Sequence, residues 1–262
     1  MSLLYVKTNL VNLDSLPDNT YVSTEDTVYT VDKLYNKRPS YPFRFTAKAN
    51  QYIKIAFSTP RAVTFAGIFN HNLLSTATID LQASTDDITY VYVSFLGGAN
   101  WRKGDLYKTL EATYKYFKLQ ISDPANPSIP QIGELVLGNG NYFENAWVQP
   151  GRSDGPVIHA SNNITHYGQD WSNYYSDAEA FSITLKNLND PNLEDDLQTF
   201  LKAVWAENDG KFIIVPDHRR PHVYYIQVVN RDSFADREIY GVKELRNWRL
   251  EIKTLTRGIT LL

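Results

Sequence analysis

The sequence predicts a mostly β protein with a single helix. Three observations carry this. Apolar and polar residues alternate with period two over strand-length stretches, turn-forming residues fall between those stretches, and only one segment has helical spacing. Many short strands at such intervals indicate sandwiches or barrels.

Taken in order, Ile53, Ile55 and Phe57 share one face of Tyr52–Phe57, with Lys54 and Ala56 between them. Ile79, Leu81 and Ala83 repeat the pattern, as do Phe117, Leu119 and Ile121 around Lys118 and Gln120. Further on, Phe181, Ile183 and Leu185 alternate with Ser182 and Thr184, and Trp248, Leu250 and Ile252 with Arg249 and Glu251. Each stretch reads as an antiparallel strand with one dry and one wet face. Turns are expected at Gly97-Gly98, in the Pro124/Pro127/Pro130 loop, at Gly138–Asn141 and at Asn208-Asp209-Gly210.

The exception runs from about 191 to 207. Leu193, Leu197, Phe200, Leu201, Val204 and Trp205 form a helical stripe. Asp190 suits the cap and Pro191 the first turn, where a missing N–H costs nothing. Glu194, Asp195 and Asp196 oppose the positive end of the helix dipole, and Gly210 supplies a left-handed stop. The glycine/asparagine cluster near 138–146 marks the domain boundary, dividing the chain into 1–143 and 144–262.

Composition removes several function classes. The 262 residues include no cysteine and one methionine, so there is no disulfide framework, thiol nucleophile or iron–sulfur cluster. A net charge of -3, with neither half basic, argues against a broad electrostatic nucleic-acid binder. No apolar run is long enough for a bilayer crossing, and the first residues lack a secretory pattern, so a soluble chain made in a cytosol is expected. The 18 tyrosines, 12 phenylalanines and 5 tryptophans suit contacts with proteins or sugars.

No motif assembles a catalytic centre. Gly151-Arg152-Ser153-Asp154-Gly155 matches G-x-S-x-G, but Pro150 and Pro156 flank it, whereas a nucleophile elbow needs a strand turning sharply into a helix. His218 and His222 have a zinc-like spacing only on a helix, which Pro216 and Pro221 exclude. His71, His159 and His166 lack a partner pattern. Asp86-Asp87 reads first as turn chemistry, with a calcium site as the alternative. A glycosidase pair distant in sequence stays open. No phosphate-binding glycine loop occurs, so no cofactor and no enzymatic activity are expected. The best candidate contact is Trp101, with Asn100 and Arg102, in a glycine-flanked loop where the indole either stacks on a sugar or protein or folds back as a plug.

Two stretches resemble known families. Tyr52–Phe57, Ala62–Asn72, Ile79–Thr85 with Asp86-Asp87, Tyr116–Ile121 and Ile132-Gly133-Glu134-Leu135 look like a discoidin or galactose-binding-like jelly roll, in which the closing strand commonly carries a glutamate. Ser84-Thr85-Asp86-Asp87 departs from that family's turn, Tyr90 stands where a tryptophan often follows, and its frequent disulfide is missing. From about 144 onward, a strand at Ala180–Leu188, the helix at 191–207, the pair Lys211–Asp217 and His222–Val229, and a closing strand at Trp248–Leu255 resemble the tail-tube-like domain of bacteriophage distal-tail and minor tail proteins. The resemblance implies an N-terminal jelly-roll β-sandwich followed by a tail-tube-like β-sandwich or barrel. It also implies a structural virion protein, a hexameric homo-oligomer ring joining the tail tube protein to baseplate hub or tip proteins. The alternative is a carbohydrate-binding module protein that adheres to host-surface glycans. A polysaccharide hydrolase is the third reading.

Overall fold

The computed structural model describes residues 3–11, 20–96, 104–143, 146–147, 157–164, 170–178, 180–185, 204, 211–215, 224–228, 236–240 and 243–254. The chain opens with β1 (Leu3–Val6), β2 (Thr20–Val22) and β3 (Phe43–Arg44). Then follow β4 (Gln51–His71), β5 (Thr78–Ser84), β6 (Val91–Phe95) and β7 (Gly104–Ser122). Next come β8 (Gln131–Ile132), β9 (Glu134–Gly138), β10 (Asn141–Phe143) and β11 (Ala146–Trp147). The later strands are β12 (Val157–Ile164), β13 (Asp170–Ala178), β14 (Ala180–Leu185), β15 (Lys211–Val215), β16 (Tyr224–Val228), β17 (Asp236–Tyr240) and β18 (Lys243–Thr254). The protein is mostly β, as the alternating patterns predict. The expected helix at 191–207 lies outside the described residues except for Val204, which is helical and fully buried.

The first sheet has the order β2-β4-β7-β5-β6, with β9 also paired to β4. Its two long strands bend together. The pairing of β4 with β7 shifts between Ala56 and Arg61, so the front of β4 joins β2 while its rear joins β9. Both parts turn apolar residues into one core. Ile53, Ile55 and Phe57 come from the front, Val63, Ala66 and Ile68 from the rear, and Phe117, Leu119 and Ile121 from β7. Phe117 meets Phe57 edge-on at 5.9 Å between ring centroids. In this sheet the phenylalanines and aliphatics chosen by alternation are thus the ones buried.

The second sheet runs β10-β1-β15-β16-β18-β14-β11, with β17 beside β18. In the β14–β18 register Phe181, Ile183 and Leu185 sit opposite Ile252, Leu250 and Trp248, so the two alternating stretches pair apolar with apolar positions. Its strand β1 comes from the start of the chain, between β10 and β15. This pairing joins residues about two hundred apart, and no local pattern signals it.

A second core forms where the sheets meet. Phe65 and Phe69 of β4, Val136 of β9, Leu4 and Val6 of β1, and Ile213 and Val215 of β15 pack together. Phe65 also stacks on Tyr107, centroids 5.7 Å apart. Contact is close at Gly138, where a Cβ would lie 2.6 Å from Val6 Cγ1 and 2.8 Å from the Thr8 carbonyl oxygen.

Candidate functional site

Because the front of β4 has one dry face, its other face must look outward, and the same holds for the neighbouring strands. Register aligns the outward residues into rows. Tyr21 of β2 lies opposite Lys54 of β4, Lys54 opposite Lys118 of β7, Lys118 opposite Gln82 of β5, and Gln82 opposite Tyr92 of β6. One step along the strands, Tyr52, Gln120 and Asp80 form a second row. Tyr21 is 49% exposed, Tyr52 38% and Tyr92 62%. The result is a surface of flat phenol rings at both ends with amides and charges between them.

Hydrogen bonds and ring contacts hold the middle in place. Gln82 Nε2 donates to Gln120 Oε1 at 3.2 Å. The Lys54 ammonium donates to Asp87 at 2.8 Å and lies 4.6 Å from the Tyr21 ring centre. Lys118 Nζ stands 4.1 Å over the Tyr90 ring, whose hydroxyl donates to Asp87. Burial and then that bond to Asp87 push the Tyr90 hydroxyl pKa well up, so the phenol stays neutral. Burial alone raises Asp80.

The turn that presents Asp87 is built from Ser84 and Asp86. Asp86 Oδ1 accepts the Ile88 and Thr89 N–H groups, each at 2.9 Å, and the Ser84 hydroxyl at 2.8 Å. These bonds, Thr89 foremost, hold the Asp86 carboxyl down at about 2. Asp87 adopts a left-handed φ of 64°, which aspartate tolerates better than most residues. The expectation of turn chemistry at Asp86-Asp87 therefore stands. Among the described residues no cluster of three or more histidines or carboxylates gathers to hold a metal ion.

Other sequence candidates are distributed differently. Asn100, Trp101 and Arg102 lie outside the described residues, as do Gly151–Gly155, His166, His218 and His222. His71 is buried at the end of β4, its Nδ1 accepting the Leu73 N–H at 3.1 Å, which is a structural role. His159 sits in β12 beside a register shift, opposite Ser176. Glu134 is fully buried on β9, and neither carboxylate oxygen closes a hydrogen bond of ordinary geometry. Burial pushes its pKa well up, outweighing the Asn9 side chain, the Lys37 backbone and the Lys211 and Lys37 ammonium groups.

The tyrosine rows are the feature that sequence reasoning passed over. Alternation marks Tyr52, Lys118 and Gln120 only as wet positions. The available signal was the identity of those wet residues, since tyrosine and glutamine recur where an ordinary solvent face would carry more lysine and glutamate.

No family model matches the sequence, and no curated protein matches it. Among solved structures, the chain is similar to chitosan-binding module 1 of a chitosanase/glucanase from Paenibacillus sp. IK-5, with 13% identity and a TM-score of 0.42, covering 50% of this chain and 99% of that one. It is also similar to the module CBM32-1 of a family 31 glycoside hydrolase from Clostridium perfringens, with 15% identity and a TM-score of 0.39, covering 47% of this chain and 96% of that one. A pectin-binding carbohydrate-binding module aligns at 12% identity with a TM-score of 0.38, covering 46% of this chain and 88% of that one.

Proposed function

We propose that this is a non-catalytic adhesion protein that holds surface glycans on the open face of its first sheet. The observation that carries the reading is the ordered row from Tyr21 to Tyr92. Phenol rings offer flat apolar surface for the C–H face of a sugar, while Gln82, Lys54 and Asp87 offer both donors and acceptors for its hydroxyls. A carboxylate held by a lysine and a phenol is pre-positioned, which reduces the ordering cost of binding. A glycan array probed with the intact protein and with Tyr92→Ala tests this. Retention of at least one glycan that the variant loses supports it, and a blank array refutes it. Trp101→Ala on the same array separates the sheet face from the loop predicted by sequence.

A second reading, that of a structural virion protein in a tail ring, is favoured by a different feature. β11 pairs with β14 and β12 with β13, and residue 179 alone separates β13 from β14. β12–β13 forms a separate two-stranded sheet that pairs with no other described strand. A lone two-stranded hairpin is marginal in water and its edges invite pairing, so a neighbouring copy is its natural partner. Head-to-tail contacts of this kind close into rings, here a hexamer between a tail tube and baseplate proteins. On this reading 1–143 is the outward module and 144–262 the assembly module, with β1 and β10 lent to the latter. Electron micrographs of the purified protein decide the matter: rings uphold it, and a monomer at every concentration removes it.

A further inference from the structure

Resting on the glycan reading above, we infer that the ligand is the interior of a linear, uncharged polysaccharide lying across the strands, and not a single terminal sugar. The row from Tyr21 to Tyr92 crosses five strands, β2, β4, β7, β5 and β6. Four inter-strand steps give about 19 Å, the reach of roughly four pyranose units. The exposed rings stand at the two ends of that span, with Tyr52 flanking one of them, while hydrogen-bonding groups fill the middle. A single sugar would engage one ring and leave the far tyrosine idle.

Charge points the same way. Lys54 and Lys118 on this face are matched by Asp80 and Asp87, and each lysine is already engaged, Lys54 by Asp87 and Tyr21 and Lys118 by Tyr90. A balanced and internally satisfied set gives no net attraction for a polyanion or polycation, and binding either would cost the breaking of those contacts.

Calorimetric titration of the intact protein with cello-, manno- and xylo-oligosaccharides tests the inference. In the series that binds, the tetrasaccharide is expected to bind at least about tenfold more tightly than the disaccharide, equivalent to about 1.4 kcal/mol, with little further gain for the hexasaccharide. Tyr21→Ala and Tyr92→Ala should each erase that gain, so that either variant binds the tetrasaccharide no more tightly than the disaccharide. Equal affinity for disaccharide and tetrasaccharide overturns the chain-spanning inference and leaves the glycan reading standing. Tighter binding of polygalacturonate that weakens with salt overturns the uncharged class. Silence from every oligosaccharide and from the array removes both.

Discussion

From Gln51 to Phe57, strand β4 alternates buried and open positions, whereas from Val63 to His71 nearly every position is buried. The same strand therefore lives in two environments. Its front carries Ile53, Ile55 and Phe57 inward and Tyr52 and Lys54 outward. Its rear is covered on both sides, by the jelly-roll core on one and by β1 and β15 on the other. The difference teaches that loss of alternation marks a second layer of structure, while retained alternation with tyrosine on the wet side marks a surface kept open for contact.

Substitutions at the two ends sharpen that comparison. The largest effect belongs to the rear: Phe69→Ala removes a fully buried ring from the junction between the sheets, and a loss of about 3–5 kcal/mol is expected in urea unfolding. A loss below about 1 kcal/mol would mean the junction is loose and the rear is not truly covered.

Glu134 gives an intermediate effect with a pH signature. Its folded pKa is raised above the ordinary 4.5 by burial. The folded state then holds a proton that the unfolded chain has already released, so stability falls as pH rises above that value toward the folded pKa. Glu134→Gln keeps the shape and neutrality, so thermal melts should make the variant increasingly more stable than the parent as pH climbs from 4.5 to neutrality. Parallel melting curves across that range would place an ionised, satisfied carboxylate there instead.

The smallest effect on stability belongs to the front. Tyr92 is 62% exposed, and Tyr92→Ala should move unfolding by no more than about 0.5 kcal/mol while removing the gain in glycan affinity with chain length. A large stability loss would recast the tyrosine face as packing surface.

Much of this fold was legible in the residues because burial follows period two so closely. Ile79, Leu81 and Ala83 and the Phe117–Ile121 set are buried as their spacing requires. The Asp86-Asp87 turn was readable too, since short acidic side chains bond local N–H groups. What escaped was long-range. The insertion of β1 beside β15 depends on Leu4 and Val6 finding Ile213 and Val215, and nothing near Leu4 encodes that distance. The tyrosine platform escaped for a related reason: Tyr21, Lys54, Lys118, Gln82 and Tyr92 come from five separate strands, and only register makes them neighbours.

The most direct test of the open face is chemical. Tyrosine nitration, mapped by mass spectrometry on the intact protein with and without a saturating bound oligosaccharide, reads each ring separately. The account predicts that Tyr21, Tyr52 and Tyr92 are nitrated in the free protein and protected in the complex, while the exposed Tyr41 and Tyr142 away from those rows react equally in both. Protection confined to Tyr41 or Tyr142, with Tyr21 and Tyr92 unchanged, would contradict it.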